Sequence, residues 1–276
     1  MLKKLFLYTN LYIAAGAAVA VYGTCQILHL QILNAFYPFL FFATLCSYNF
    51  HWFFTPDALH DRERENWSVK NKTIIAALAI LSAIGAAYFA WQLPIAYLFF
   101  ASPLVVLSFI YTAPKIPHVA FANFKKYIFA KTIYLAVAWT YATVLLPIFI
   151  TQQNFSDTFF QYTLHRFALL LVICGLFDYR DKIEDALGGI KSIIALASVG
   201  LVHIIVQVLI AMSILSNIKL TDEIKPIFLA FNFIPILLIM LLYKRNLDSK
   251  NEVYYYFVLD GLIFINGAIY LAMQIF

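Results

Sequence analysis

Apolar runs of about twenty residues recur along this chain, and a run of that length constrains a fold more than any short motif. Twenty helical residues rise ~30 Å, the thickness of a bilayer's hydrocarbon core. Nine such runs can be marked, at roughly 5–29, 33–54, 73–92, 94–112, 128–150, 160–178, 191–216, 226–243 and 253–275. Of the 276 residues, 63% are hydrophobic and only 12% charged. That is too little charge to cover the surface of a water-soluble domain of this size. The short alternating segments of a membrane β-barrel are absent from the sequence. The expectation is an all-α polytopic membrane protein with nine transmembrane helices in one bundle.

The boundaries agree with that division. Pro56, Pro94, Pro114, Pro117 and Pro226 fall between runs, where proline is tolerated. Pro103, Pro147 and Pro235 fall inside runs and are expected to kink them. The opening Met-Leu-Lys-Lys and the triplet Ala18-Val19-Ala20 have the look of a signal peptide. Tyr8, Asn10 and Tyr12 interrupt its apolar region, however, and apolar sequence continues to Leu30, so the segment reads as the first span. Cys25, Cys46 and Cys174 all lie inside apolar runs, as small core residues rather than a disulfide or metal set.

Lysine and arginine are distributed unevenly. Sixteen lie at the N-terminus and in the loops after the even-numbered runs, and three (Arg166, Lys219 and Lys225) lie on the other side. The positive-inside rule then places the N-terminus in the cytoplasm and, with nine spans, the C-terminus outside, in a bacterial inner or plasma membrane. The net charge of +5 comes from these loops and does not describe a nucleic-acid surface. The loops after runs 2 and 6 are acidic, and those after runs 4 and 8 are basic. A four-run period would make two parallel pseudo-repeats whose loops ring one cytoplasmic entrance. Alternatively, cytoplasmic loops are simply charged.

The densest chemistry lies in F-D-Y-R-D-K-I-E-D-A-L-G-G-I-K, residues 177–191. Asp178, Asp181 and Asp185 stand at i, i+3 and i+7, on one face of a helix. Carboxylates at a membrane-helix mouth are costly, so they either hold a metal or pair with cations such as Arg180, Lys182 or Lys191. Asp260 lies within the last run, where an unpaired carboxyl costs several kcal/mol. It must face a cavity and a ligand, or be tied to a neighbouring span through Asn, Tyr or His203.

The stretch D-Y-R-D-K-I-E-D-A-L-G-G-I-K-S resembles the second aspartate-rich motif of the UbiA superfamily of intramembrane prenyltransferases. Y-T-A-P-K-I (111–116) is similar to the end of that family's fourth helix, and residues 125–147 are similar to its fifth. The resemblance spans nearly the whole chain as one domain, 1–276. One departure is clear. The family's first motif, NDxxDxxxD, survives as Asn49 and Asp57, with Phe50 and Phe53 in place of the other aspartates. Asp57, Asp61 and Glu65 form a new acidic ladder just downstream, which is either a replacement ligand set or a solvated helix face.

The resemblance implies Mg²⁺-dependent transfer of a prenyl chain from a prenyl diphosphate to a lipophilic acceptor, such as an aromatic one, within the bilayer. It implies that Asp178, Asp181 and Asp185 hold metal, with Asp57 and Asp61 completing the first site. Asn49, Lys115, Lys125, Lys126 and Asp260 would bind substrate, and aromatic faces such as Trp139, Tyr141 and Tyr134 would stabilise an allylic cation. The alternative is a catalytically inactive bundle of the same type that binds a lipid or a partner. A transporter is a third class, and the outer halves of the runs offer it little polar lining beyond Arg166.

Overall fold

The computed structural model describes residues 2–55, 62–118, 121, 131–151, 154–187, 197–220, 224–248 and 251–275, without the side chains of 2–3, 183–187, 244–246, 248 and 275. Every regular element among them is a helix. In order these are α1 (Leu2–Tyr8), α2 (Leu11–Ile27), α3 (Phe36–Phe53), α4 (Glu63–Lys70), α5 (Lys72–Ala90) and α6 (Ile95–Thr112). Next, α7 covers Lys131–Ile150, followed by α8 (Asp157–Leu187), α9 (Val199–Ile218) and α10 (Pro226–Asp248). Last comes α11, which runs from Glu252–Tyr254 through a π turn, Tyr255–Leu259, into Asp260–Ile275.

Among the described residues seven helices, α5 to α11, are long and apolar enough to cross a membrane. Their outward faces are apolar and bare: Trp91 is 92% exposed, Ile95 80% and Leu241 79%. A surface of this kind is stable against lipid and not against water. The chain is an integral membrane protein.

The first run departs from its expected bounds of 5–29. It is split at Asn10, which takes a left-handed backbone (φ 66°), so that α1 ends at Tyr8 and α2 keeps only 17 residues. Asparagine tolerates this conformation better than most residues because its short amide bonds locally. Here the amide is fully employed: Asn10 Nδ2 donates to Asn49 Oδ1 at 3.1 Å, and its Oδ1 accepts from Arg64 at 2.5 Å.

Inside a bilayer each backbone carbonyl that loses its helical donor must find another. Pro147 has no N–H to give Thr143, four residues back, and α7 passes through a π turn, Tyr141–Leu145. The Thr143 carbonyl accepts instead from Thr24 Oγ1 on α2 at 2.7 Å. Pro103 likewise abandons the Phe99 carbonyl, which Ser102 Oγ reaches at 2.7 Å. In the π turn of α11 the Phe257 carbonyl accepts from the Tyr12 hydroxyl at 2.8 Å. Two of these three irregularities therefore double as crosslinks, both onto α2.

Small residues set the closest crossing. A Cβ on Gly23 of α2 would lie 2.7 Å from Gly267 Cα of α11, and one on Gly267 would lie 2.0 Å from the Val19 carbonyl oxygen. Backbone meets backbone there, as small-residue membrane interfaces allow. Farther along, a ladder of buried amides joins α9, α10 and α11. Asn232 Nδ2 donates to Asn217 Oδ1 at 3.1 Å, and Asn266 Nδ2 donates to Asn232 Oδ1 at 2.7 Å.

Gly267→Val will separate α2 from α11 and abolish the folded, monodisperse protein in detergent, because the clash is with backbone. Gly200→Ala, where nothing lies within 4 Å, will leave the thermal transition unchanged. Thr24→Val will destabilise by about 1–2 kcal/mol by stranding the Thr143 carbonyl, read as a lower unfolding midpoint.

Candidate functional site

The polar residues collect at one end of the bundle. This is the end where α3, α6 and α8 finish and α2, α5, α7 and α11 begin. The contacts fix that arrangement. Arg64 meets Asn10 and Glu252, Arg62 meets Asp181, Lys115 meets Thr55, and Lys131 meets Asp178.

Arg64 stands at the centre. It follows the loop after α3, and at 4% exposure it is buried. Its guanidinium lies between two rings, 4.2 Å from the centre of Trp52 on α3 and 4.0 Å from that of Tyr256 on α11. Planar guanidinium suits such stacking where a lysine ammonium would not. Its backbone N–H donates to Glu252 Oε2 at 2.8 Å. Trp52 also lies beneath the Lys115 ammonium, at 5.0 Å, and Lys115 donates to Thr55 Oγ1 at 3.2 Å. Tyr256 also borders Arg180, whose guanidinium carbon sits 5.2 Å from its ring and 4.6 Å from that of Tyr255. One continuous patch thus runs Lys115, Trp52, Arg64, Tyr256, Arg180.

The aspartate ladder closes the patch on its α8 side. Asp181 accepts from Arg180 through Nε at 2.6 Å and NH2 at 3.2 Å, and Arg62 NH2 lies 3.3 Å away. Asp178, one turn earlier and nearly fully buried, pairs with Lys131 at 3.4 Å and accepts from Thr132. The Asp181–Arg180 pair is one that the sequence left open as the alternative to metal, whereas Arg62 and Lys131 come from elements it did not connect with these aspartates. They join α8 to α7 and to the loop before α4.

The Mg²⁺ implied by the family resemblance does not fit these two carboxylates as they stand. An ion beside Asp178 or Asp181 would face Lys131, Arg180 and Arg62 at contact distance, and like charges at that range repel strongly. Among the described residues no group of three metal-ligating side chains forms. Asp57, Asp61, Lys125 and Lys126, and the side chain of Asp185, lie outside the described residues.

Asn49 is wholly buried and turned towards α1 and α2, where Nδ2 donates to the carbonyls of Thr9 (3.1 Å) and Leu45 (2.8 Å) while Oδ1 accepts from Asn10. It steadies the joint that holds Arg64. His51 stacks on Tyr111 and bonds Thr112, a packing role. Tyr134 and Tyr141 donate to the carbonyls of Leu107 and Phe100 on α6, and Trp139 donates to the Tyr48 hydroxyl. Asp260 is half-buried directly after the π turn of α11, with the charges of Arg64 and Arg180 in range and Tyr12 and Tyr48 nearby. His203 packs on Tyr243.

Arg64, Arg62, Arg180, Trp52 and Tyr256 were not singled out from sequence as site residues. Two signals were there to read: an Arg-Glu-Arg at 62–64 inside an otherwise acidic loop, and a Tyr-Tyr-Tyr run at 254–256 one turn before Asp260. No family model, curated protein or solved structure matches the chain.

Asp181→Asn will lower stability by about 1–3 kcal/mol, because it leaves two half-buried guanidinium groups facing a neutral amide. Arg180→Met in that background will recover a substantial part. Unfolding of the wild type, both single variants and the double variant checks the coupling.

Proposed function

We propose that this chain is a UbiA-type intramembrane prenyltransferase, with α2 and α3 completing a nine-span bundle of two pseudo-repeats around a cytoplasm-facing site. It would carry a prenyl group from a prenyl diphosphate to a lipophilic acceptor. The observation that supports this best is the continuous patch of Lys115, Arg64 and Arg180 on Trp52 and Tyr256, at the mouth of an apolar bundle. Cations at the rim suit a diphosphate, and the aromatic, lipid-bounded interior suits an isoprenoid chain.

The chemistry follows from those parts. The C1–O bond of the allylic diphosphate breaks, and its electron pair leaves on the diphosphate. The fixed guanidinium and ammonium groups stabilise that charge as it develops. A nucleophilic atom of the acceptor supplies the pair for the new bond to C1. The proton that the acceptor loses passes to the Asp260 carboxylate, which lies inward of the cations on the same helix as Tyr256. Aromatic faces near the site, Tyr48 and Trp139 among them, shelter the allylic cation from water.

A second reading is favoured by one observation. Asp178 and Asp181 are both ion-paired, and they therefore serve structure whether or not turnover occurs. On that reading the bundle binds a prenyl diphosphate or another anionic lipid without transferring it.

Purified protein in lipid nanodiscs, supplied with a prenyl diphosphate and a panel of lipophilic aromatic acceptors, will release pyrophosphate. Asp260→Asn will reduce that rate by about 10²-fold while leaving donor affinity unchanged. Donor binding with no pyrophosphate release and no product assigns the chain to the second reading. No donor binding removes both.

A further inference from the structure

Among the described residues, two cations of the patch touch no carboxylate with their side chains. Arg64 gives NH2 to Asn10, and its buried Nε has no hydrogen-bond partner among the described residues. Lys115 gives one N–H to Thr55, while an ammonium has three to give. A buried donor left without an acceptor costs on the order of 1–3 kcal/mol, so such groups mark a place where an acceptor is missing. The buried NH1 of Arg180, on the other side of Tyr256, is in the same condition.

Their positions add to this. Arg64 and Lys115 are brought to the same Trp52 ring from the first turn of α4 and from just past the end of α6. Of the carboxylates expected to draw in a divalent cation, the two whose side chains are described, Asp178 and Asp181, are already paired with protein cations. The Glu65 carboxylate bears on Lys115, and against it stand the charges of Lys131, Arg64 and Arg62, three cations to one carboxylate, a balance that favours an anion over a further free cation.

We propose that Arg64 and Lys115 form a metal-free seat for the diphosphate of a prenyl donor, with two fixed protein charges at the leaving group in place of a carboxylate-held divalent ion. The proposal rests on the prenyl-diphosphate reading above. The arrangement has a physical rationale. Two rings hold the Arg64 guanidinium in one plane, so its donors need little reordering to meet phosphate oxygens. The Lys115 ammonium adds a point charge beside it. Against a diphosphate they supply two cationic donors where a divalent ion would otherwise stand, and they need no acidic ligand set. That accounts for a first motif in which phenylalanines, Phe50 and Phe53, occupy two expected aspartate positions.

The test is binding of farnesyl diphosphate to the purified full chain in nanodiscs of neutral lipid, with Mg²⁺ and with excess EDTA. The proposal expects the two dissociation constants to agree within about twofold, and Lys115→Met and Arg64→Lys each to weaken binding about tenfold in both conditions. Lys219→Gln, at the far end of the bundle, will change nothing. Because the wild-type comparison needs no variant, misfolding of Arg64→Lys does not spoil it. If EDTA weakens binding more than tenfold, or neither variant alters affinity, the metal-free seat is wrong and the prenyl-diphosphate reading stands. If the protein binds the probe in neither condition, that reading falls and the seat with it. Inorganic pyrophosphate and anionic phospholipid, run as competitors, separate a headgroup site for prenyl diphosphate from a general phosphate or lipid site. Equal competition by anionic phospholipid overturns the assignment to a prenyl donor.

Discussion

A guanidinium cannot sit bare at the end of a membrane bundle, and much of this structure is the means of holding one. Arg64 is enclosed by Trp52 and Tyr256, tied to Asn10, and fixed through its backbone by Glu252. Those four partners come from α3, α11 and the break between α1 and α2. The left-handed turn at Asn10 and the π turn of α11 are therefore parts of one device. The first turns an amide towards the arginine, and the second sets the register of Tyr255, Tyr256 and Asp260. Helix irregularities of this kind recur where a side chain must be aimed rather than merely packed.

The opposite half of the bundle solves its polar problem differently. Arg166 is 2% exposed on α8 and donates NH2 to the Ile263 carbonyl of α11 at 2.6 Å. His165, beside it, is closed off by Ser213 of α9 at 2.9 Å. With the Asn217, Asn232 and Asn266 ladder, these groups join α8 through α11 by hydrogen bonds, which lipid cannot replace. In the sequence Arg166 and His165 lie near the outer edge of the apolar run at 160–178. The structure buries them because α8 continues well beyond them in both directions and α9 and α11 cover that face.

Much of the fold could be read in the chain. Run length and hydropathy locate the helices closely: the expected 73–92 is Lys72–Ala90, 94–112 is Ile95–Thr112, and 226–243 falls within Pro226–Asp248. The first run misled, because hydropathy does not register that one asparagine is needed as a hydrogen-bond partner from elsewhere. The site was half legible. Asp178, Asp181 and Asp260 stood out because carboxylates are rare in apolar sequence, and Lys115 through the family resemblance of residues 111–116. Their partners did not, because Arg62 and Arg64 lie in a loop already rich in charge, and tryptophan and tyrosine are ordinary in a membrane chain.

By itself the sequence determined that this protein lives in a bilayer, as helices, with its charges gathered at loop ends. Those outcomes follow from transfer free energies and backbone hydrogen bonding, which are local and additive along a chain. Only the tertiary structure decided what the aspartate ladder at the mouth of α8 faces. The ladder's spacing suits a metal as well as a row of ion pairs. What selects between them is which side chains other helices deliver within about 4 Å, the range at which charge interactions dominate. That delivery depends on loop reach and helix crossing, set by contacts such as Gly23 against Gly267, and no periodicity in the sequence encodes it.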